Sequence, residues 1–260
     1  MILIIKSSHV AYQSKNGYCL FFNTHYWSVI RGIWYFFYLS RPLSTKPGDI
    51  YNPDYFIAHA GGQVDTLKYL NCREGLFQSL NRGYKYIEFD LSETEDGYLV
   101  CAHDKALFFK MIGVKDTKSS CFDLKTVKNS LLYNKFHTLS VSDLLTYLRR
   151  NEFILVTDCY SDPKQIDKYF SEIKDRILVE TSSIENYNKL RRLGYHPMFT
   201  LGDLRYREFW KYIRVSLTNT YPIEWVVISA TQSDFRFVRI LKRLFGVKTA
   251  MYTCNNKDFF

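Results

Sequence analysis

The chain has 260 residues, enough for one large domain with a sizeable core. Hydrophobic residues make up 47% and charged residues 23%, ordinary globular proportions that exclude wholesale disorder and a polytopic membrane protein. Its 35 lysines and arginines exceed its 26 aspartates and glutamates, and the formal charge of +9 favours phosphate-bearing partners: nucleic acid, an anionic membrane surface or phosphorylated small molecules.

The N-terminal MILIIK has no basic residue before its short apolar run, so it lacks the layout of a cleavable signal peptide. Residues 17–39 are aromatic-rich and apolar but broken by Asn23, His25 and Arg31. A spanning helix wants about 20 apolar residues with few charges, which leaves three readings open: a span, an interfacial helix giving peripheral membrane association, or a helix packed on the main body. Residues 40–55 concentrate three prolines with Gly, Ser, Thr and Asn, the composition of a linker. The organisation expected is therefore an N-terminal aromatic-rich appendage and linker over residues 1–50 and a main domain over residues 51–260.

In the main domain, eight short apolar runs read as strands: Tyr55–Ala58, Tyr84–Leu91, Tyr98–Ala102, Phe153–Thr157, Arg176–Val179, Pro197–Leu201, Trp225–Ser229 and Val247–Thr253. Between them Gly75–Arg82, Ser140–Arg150, Pro163–Lys174, Ile184–Leu193 and Phe235–Phe245 carry apolar residues at three- and four-residue spacings, as amphipathic helices do. Alternation of this kind predicts a parallel sheet, and eight strands closing on themselves give an α/β fold of the (β/α)₈ TIM-barrel type, with functional groups at the C-terminal strand ends. The basic pairs Arg149-Arg150, Arg191-Arg192 and Lys242-Arg243 fall at helix ends, where cations complement the helix dipole. After the last strand too little chain remains for a full barrel helix, which leaves two readings: the aromatic-rich segment before Ser40 covers that gap as a helix borrowed from the other end, the reading its residues 26–39 motivate, or the chain is cut short.

The first strand runs into His59-Ala60-Gly61-Gly62, placing a histidine where a strand opens into a glycine-permissive loop. In the second, Glu88 and Asp90 share one face by the period of two, with Ile87, Phe89 and Leu91 on the other. Two carboxylates side by side in a barrel repel strongly unless a cation neutralises them. That pattern points to a hard divalent cation, Mg²⁺ or Ca²⁺, held through oxygen. The Thr94-Glu95-Asp96-Gly97 stretch is a turn signal, and the third strand then ends at His103-Asp104. Glu93, Glu95 and Asp96 read as exposed turn charges.

His59-Ala-Gly-Gly, Asn71, Gly83, Ile-Glu88-Phe-Asp90, Thr94-Glu-Asp-Gly97 and His103-Asp104, in that order and spacing, resemble the glycerophosphodiester phosphodiesterase family, within the group that includes phosphatidylinositol-specific phospholipase C. The likeness is strong over residues 55–104 and weaker beyond, through residues 138–143, Asp158 and Tyr252-Thr-Cys-Asn255. It implies a metal-dependent phosphodiesterase with His59 and His103 as the acid/base pair, His59 being the favoured base. Glu88, Asp90 and Asp158 would be the metal ligands, and Gly61, Asn71, Tyr252 and Asn255 the substrate contacts. The family commonly has arginine where Ala60 stands, glutamate where Leu70 stands and lysine where Tyr160 stands. These departures put the usual glycerophosphodiester more in question than the reaction. The competing reading is a barrel of altered specificity, or one that only binds a phosphodiester, a phospholipid headgroup or a surface-polysaccharide group.

The six cysteines, Cys19, Cys72, Cys101, Cys121, Cys159 and Cys254, show no CxxC spacing and read as free thiols, which favours a reducing compartment; cytoplasmic or membrane-associated placement is expected. The 21 tyrosines and 20 phenylalanines sit at core spacings and do not indicate nucleic-acid binding. No P-loop, Gly-x-Ser-x-Gly elbow or His-Glu-x-x-His is present. His9, His25, His137 and His196 read as structural or exposed.

Overall fold

The protein was studied as a computed structural model that describes residues 56–114, 120–230 and 232–252, with Gly32. Gly32 apart, the appendage and linker lie outside the described residues, and with them residues 17–39, the proposed gap-covering helix, His9, His25 and Cys19; so do Cys254 and Asn255.

Seven strands run parallel in the order of their succession: β1 (Ile57–Ala58), β2 (Tyr86–Glu93), β6 (Ile154–Asp158), β7 (Ile177–Thr181), β8 (His196–Gly202), β9 (Trp225–Ser229) and β10 (Lys248–Tyr252). One face of each supplies a common inner cluster. Val156, Met198, Val227 and Ala250 are joined there by Ile57, Tyr86, Leu178, Trp225 and Tyr252, so side chains from the first and the last strand meet in one cluster. A sheet whose two edges share an interior is curled, although no ladder joins β10 to β1 among the described residues.

Helices cover the outer face: α1 (Arg73–Asn81), α4 (Val141–Arg150), α5 (Pro163–Phe170), α6 (Ile184–Arg192), α7 (Tyr206–Thr218) and α8 (Phe235–Phe245). Their starts are set locally. Ser140 and Asp143 form a reciprocal capping box at α4, and Asp162 caps α5 just before Pro163, whose missing N–H costs nothing there. Basic residues occupy the last turns of α4, α6 and α8, as the sequence suggested. The α7 helix is absent from the sequence-based expectation: Arg205, at its N-cap position, supplies no side-chain cap to signal the start at Tyr206.

One strand differs from expectation. β3 (Leu99–Cys101) pairs antiparallel with the end of β2, Leu91 facing Cys101 and Glu93 facing Leu99, and so adds no eighth stave to the barrel. The cause is the short connection. Thr94 N–H donates to Tyr98 O at 2.8 Å and Gly97 N–H to Thr94 O at 2.9 Å, closing a tight turn, whereas a parallel return needs a crossover of about a dozen residues. β2 therefore overshoots the barrel rim and folds back as a hairpin. Behind it α2 (Lys105–Met111), α3 (Leu124–Asn129) and the small hairpin β4 (Leu131–Leu132) and β5 (Phe136–His137) pack over a separate apolar cluster containing Phe108, Phe109 and Phe122. Those three rings sit 5.3–6.1 Å apart in tilted and edge contacts, an arrangement adding ~0.5–1.5 kcal/mol per pair beyond area burial.

Candidate active site

Glu88 and Asp90 both point to the inner face of β2, Asp90 directly opposite Asp158 in the β2–β6 ladder. One ligand oxygen from each of Glu88, Asp90 and Asp158 lies within 4.8 Å of the others. Burial, with Asp90 beside it, pushes Glu88 well above the ordinary carboxylate range. Its Oε2 accepts from Ala60 N–H at 2.6 Å, but its buried Oε1 meets no hydrogen-bond donor. An orphaned carboxylate oxygen beside two further acids fits a divalent cation.

His59 follows β1 in a single tight turn, His59–Gly61. Ala60 adopts φ 49°, ψ 44°, which turns its amide onto Glu88, and the imidazole Nε2 lies 3.9 Å from Glu88 Oε2 with Tyr69 edge-on to the ring. The glycines are needed for contact as well as for conformation. A Cβ on Gly61 would stand 2.9 Å from the Phe89 ring, and one on Gly62, at φ +101°, 2.1 Å from Ser79 Oγ. Ser79 Oγ in turn donates to Gly61 O at 2.8 Å, tying the histidine loop to α1. Gly61 is thus a buried packing position.

His103 reaches the same mouth from the other side. Ala102 N–H donates to Asp90 O at 3.0 Å, so the return arm of the hairpin delivers His103 beside Asp90. Its Nδ1 is held by Asp104 Oδ2 at 2.7 Å, while Asp104 Oδ1 caps α2 through Leu107 N–H. The Asp104 hydrogen bond raises the His103 pKa above the ordinary imidazole value against partial burial, and Asp90 and Asp158 act in the same direction.

Asn71 directs its side chain onto Asp90, donating from Nδ2 to Oδ2 at 2.8 Å and accepting from Asp90 N–H at 3.0 Å. Tyr252 ends β10 on the inner face. Ala60 is fully buried and offers only its backbone, Leu70 is buried in the cluster under the hairpin, and Tyr160 turns its hydroxyl to Glu93 Oε2 at 2.6 Å. Glu93, Glu95 and Asp96 are exposed as expected, yet each has a partner: Tyr160, Lys105 and Leu124 N–H respectively. His137 bonds Glu74, a structural contact.

Two site residues escaped the sequence reading. Glu180, one strand over from Asp158, shares the inner face with Leu178 and accepts from Thr200 Oγ1 at 3.2 Å; burial and Asp158 push it up to about 8. Alternation along Ile177–Thr181 would have found it, had the strand not been ended at Val179. Cys159, at φ 65°, donates its thiol to Asp90 Oδ1 at 3.3 Å. Cys72, Cys101, Cys121 and Cys159 are all free, as anticipated. No helix among the described residues is long and apolar enough to cross a membrane.

The model of the glycerophosphoryl diester phosphodiesterase family matches residues 74–206, just over half of the chain, a span holding Glu88, Asp90, His103 and Asp158. Comparison with curated proteins finds no match. Among solved structures, the fold is similar to a candidate glycerophosphodiester phosphodiesterase from Galdieria sulphuraria (TM-score 0.63, 13% identity, 79% of this chain and 88% of that one). It is also similar to an Oleispira antarctica phosphodiesterase solved with the product sn-glycerol-3-phosphate (0.59, 13%, 78% and 85%). A third likeness is to the glycerophosphodiester phosphodiesterase of Thermotoga maritima (0.54, 18%, 79% and 88%).

Proposed function

The chain belongs to the glycerophosphoryl diester phosphodiesterase family and is by that membership a phosphoric diester hydrolase; from this premise we propose that it is metal-dependent and cleaves a glycerophosphodiester-like small molecule between His59 and His103. The observation that carries this reading is the placement of the two imidazoles at opposite members of one carboxylate cluster, His59 at Glu88 and His103 at Asp90. The curled sheet of seven parallel strands is read as a barrel of the (β/α)₈ type.

Glu88, Asp90 and Asp158 would hold Mg²⁺ or Ca²⁺. Bound there, such an ion would offset negative charge on the phosphoryl oxygens and help to orient the diester. His59 takes the proton of the attacking hydroxyl, from a neighbouring group of the substrate or from water, and a new P–O bond forms. His103 gives its proton to the departing alkoxide as the old P–O bond breaks. Its pKa, raised first by the Asp104 hydrogen bond, favours the protonated ring that the acid role requires. Asp104 keeps Nδ1 occupied and so fixes which nitrogen faces the substrate. Asn71 and the Ala60 amide hold Asp90 and Glu88 in place.

Ala60 and Tyr160 offer the phosphate no cationic side chain, which favours a substrate other than the commonest glycerophosphodiesters. The test is hydrolysis of bis-p-nitrophenyl phosphate and glycerophosphocholine with Mg²⁺, Ca²⁺ or EDTA, beside His59→Ala and Glu88→Ala. Metal-requiring turnover lost in both variants supports the reading; turnover that persists in EDTA or in either variant overturns it.

A further inference from the structure

Asp90 belongs to two clusters. With Glu88 and Asp158 it forms the all-oxygen site described above; with His103 and Cys159 it forms a second group, again with one ligand atom from each residue within 4.8 Å of the others. We propose that Asp90, His103 and Cys159 form a separate binding site for Zn²⁺ or a similar borderline divalent ion.

The donor set is the first reason. Oxygen, nitrogen and sulfur together suit zinc, whereas three carboxylates suit Mg²⁺ or Ca²⁺. The spacing is the second. Tetrahedral zinc at ~2.0–2.3 Å from its ligands sets the donor atoms roughly 3.3–3.8 Å apart, and Cys159 Sγ already stands 3.3 Å from Asp90 Oδ1. His103 and Cys159 are exposed, so side-chain rotation can close the remaining gap and an ion can enter from solvent. The third reason is the histidine's support. Asp104 holds His103 Nδ1 at 2.7 Å, leaving Nε2 for a metal, the carboxylate–histidine arrangement that orients and strengthens zinc-binding imidazoles. On binding, the Cys159 thiol releases its proton to solvent and coordinates as thiolate. Three protein ligands leave the fourth position open.

An ion on His103 Nε2 occupies the nitrogen that would deliver the proton to the leaving alkoxide. Zinc at this site therefore inhibits hydrolysis, a consequence that rests on the acid role proposed above, although the binding does not.

The experiment titrates the metal-stripped full-length protein with Co²⁺ and follows absorbance. A thiolate-to-cobalt charge-transfer band with tetrahedral visible bands is expected, displaced by Zn²⁺, absent in Cys159→Ser and retained in Asp158→Asn, whose carboxylate is no ligand here. Asp104→Asn, which leaves all three ligands in place, should weaken cobalt binding ~10–100-fold. Absence of the sulfur band in the parent protein overturns the proposal. So does its persistence in folded Cys159→Ser, or unchanged affinity in Asp104→Asn. The readout is spectroscopic and cleavage is assayed separately, with Mg²⁺ or Ca²⁺ and neither Co²⁺ nor Zn²⁺: the sulfur band in a protein that cleaves nothing under those conditions would leave this site standing and remove the hydrolytic mechanism, and cleavage by a protein without the band would do the reverse.

Discussion

Asn71 holds Asp90 at both ends, its amide donating to the carboxylate and its carbonyl oxygen accepting from the Asp90 backbone N–H. Asn71 itself sits at φ 49° and is tied to the histidine loop by its own N–H, which donates to Ala60 O at 3.0 Å. One residue thus fixes a metal-ligand candidate relative to His59.

Replacing it with alanine leaves Asp90 unoriented and strands buried polar groups. Asn71→Ala should lower Mg²⁺ or Ca²⁺ affinity ~10–100-fold and global stability by ~1–3 kcal/mol. Calorimetric metal titration and urea unfolding measure the two separately, and unchanged metal affinity would show that Asp90 needs no such support.

Gly62→Ala should be among the most damaging single changes. The new methyl meets Ser79 Oγ at 2.1 Å on a backbone at φ +101°, and a non-glycine residue in such a conformation costs ~1–3 kcal/mol before the clash is counted. Either Ser79 rotates and gives up its bond to Gly61 O or the loop shifts, and both loosen the seat of His59. The expected result is a lower melting temperature and a fall in kcat; Gly97→Ala, where a Cβ meets nothing within 4 Å despite φ +80°, should lose stability but keep kcat.

The Asp104 carboxylate stabilises the His103 imidazolium and raises its pKa. If His103 is the acid, activity persists below that raised value and falls as pH climbs through it. Asp104→Asn removes the stabilising charge, so the alkaline limb of the kcat profile should move to lower pH. A limb that stays in place would assign it to another group.

Glu180 predicts a pH-dependent stability of the opposite kind from an ordinary ion-paired carboxylate. Its folded pKa, about 8, lies above the ordinary 4.5, so the folded state holds a proton that the unfolded chain gives up. Stability from this group is full below pH 4.5 and is lost as pH rises towards 8; Glu88, also raised, acts in the same sense. In EDTA the melting temperature should fall across that window, Glu180→Gln should flatten the fall, and a saturating divalent cation should offset it. Identical profiles for parent and variant would contradict this account.

The period of two in Tyr86–Glu93 exposed the Glu88 and Asp90 pair, and amphipathic spacing located α1, α4, α5, α6 and α8 to within a few residues at most ends, because both signals are local. The direction of β3 is a matter of pairing. It was still legible in principle, since Thr94-Glu-Asp-Gly97 is too short for a parallel return. The second cluster was not legible. His103 and Cys159 lie far apart in the chain, and only the β2–β6 ladder together with the returning hairpin brings both to Asp90. The pairing of Glu180 with Thr200 is likewise a product of two neighbouring strands in register.

The hairpin of β2 and β3 divides the chemistry between two mountings. Glu88, Asp90, Asp158 and His59 are carried by the staves of the barrel and the loop after the first of them, whereas His103 rides on the arm that returns from above the rim, backed by its own apolar cluster. The acidic cluster and the candidate proton donor thus sit on separate mountings, joined where Ala102 N–H meets Asp90 O. A change confined to the cluster behind the hairpin would therefore act first on the position of His103 and reach the acids only through Asp90, at the strand the two mountings share.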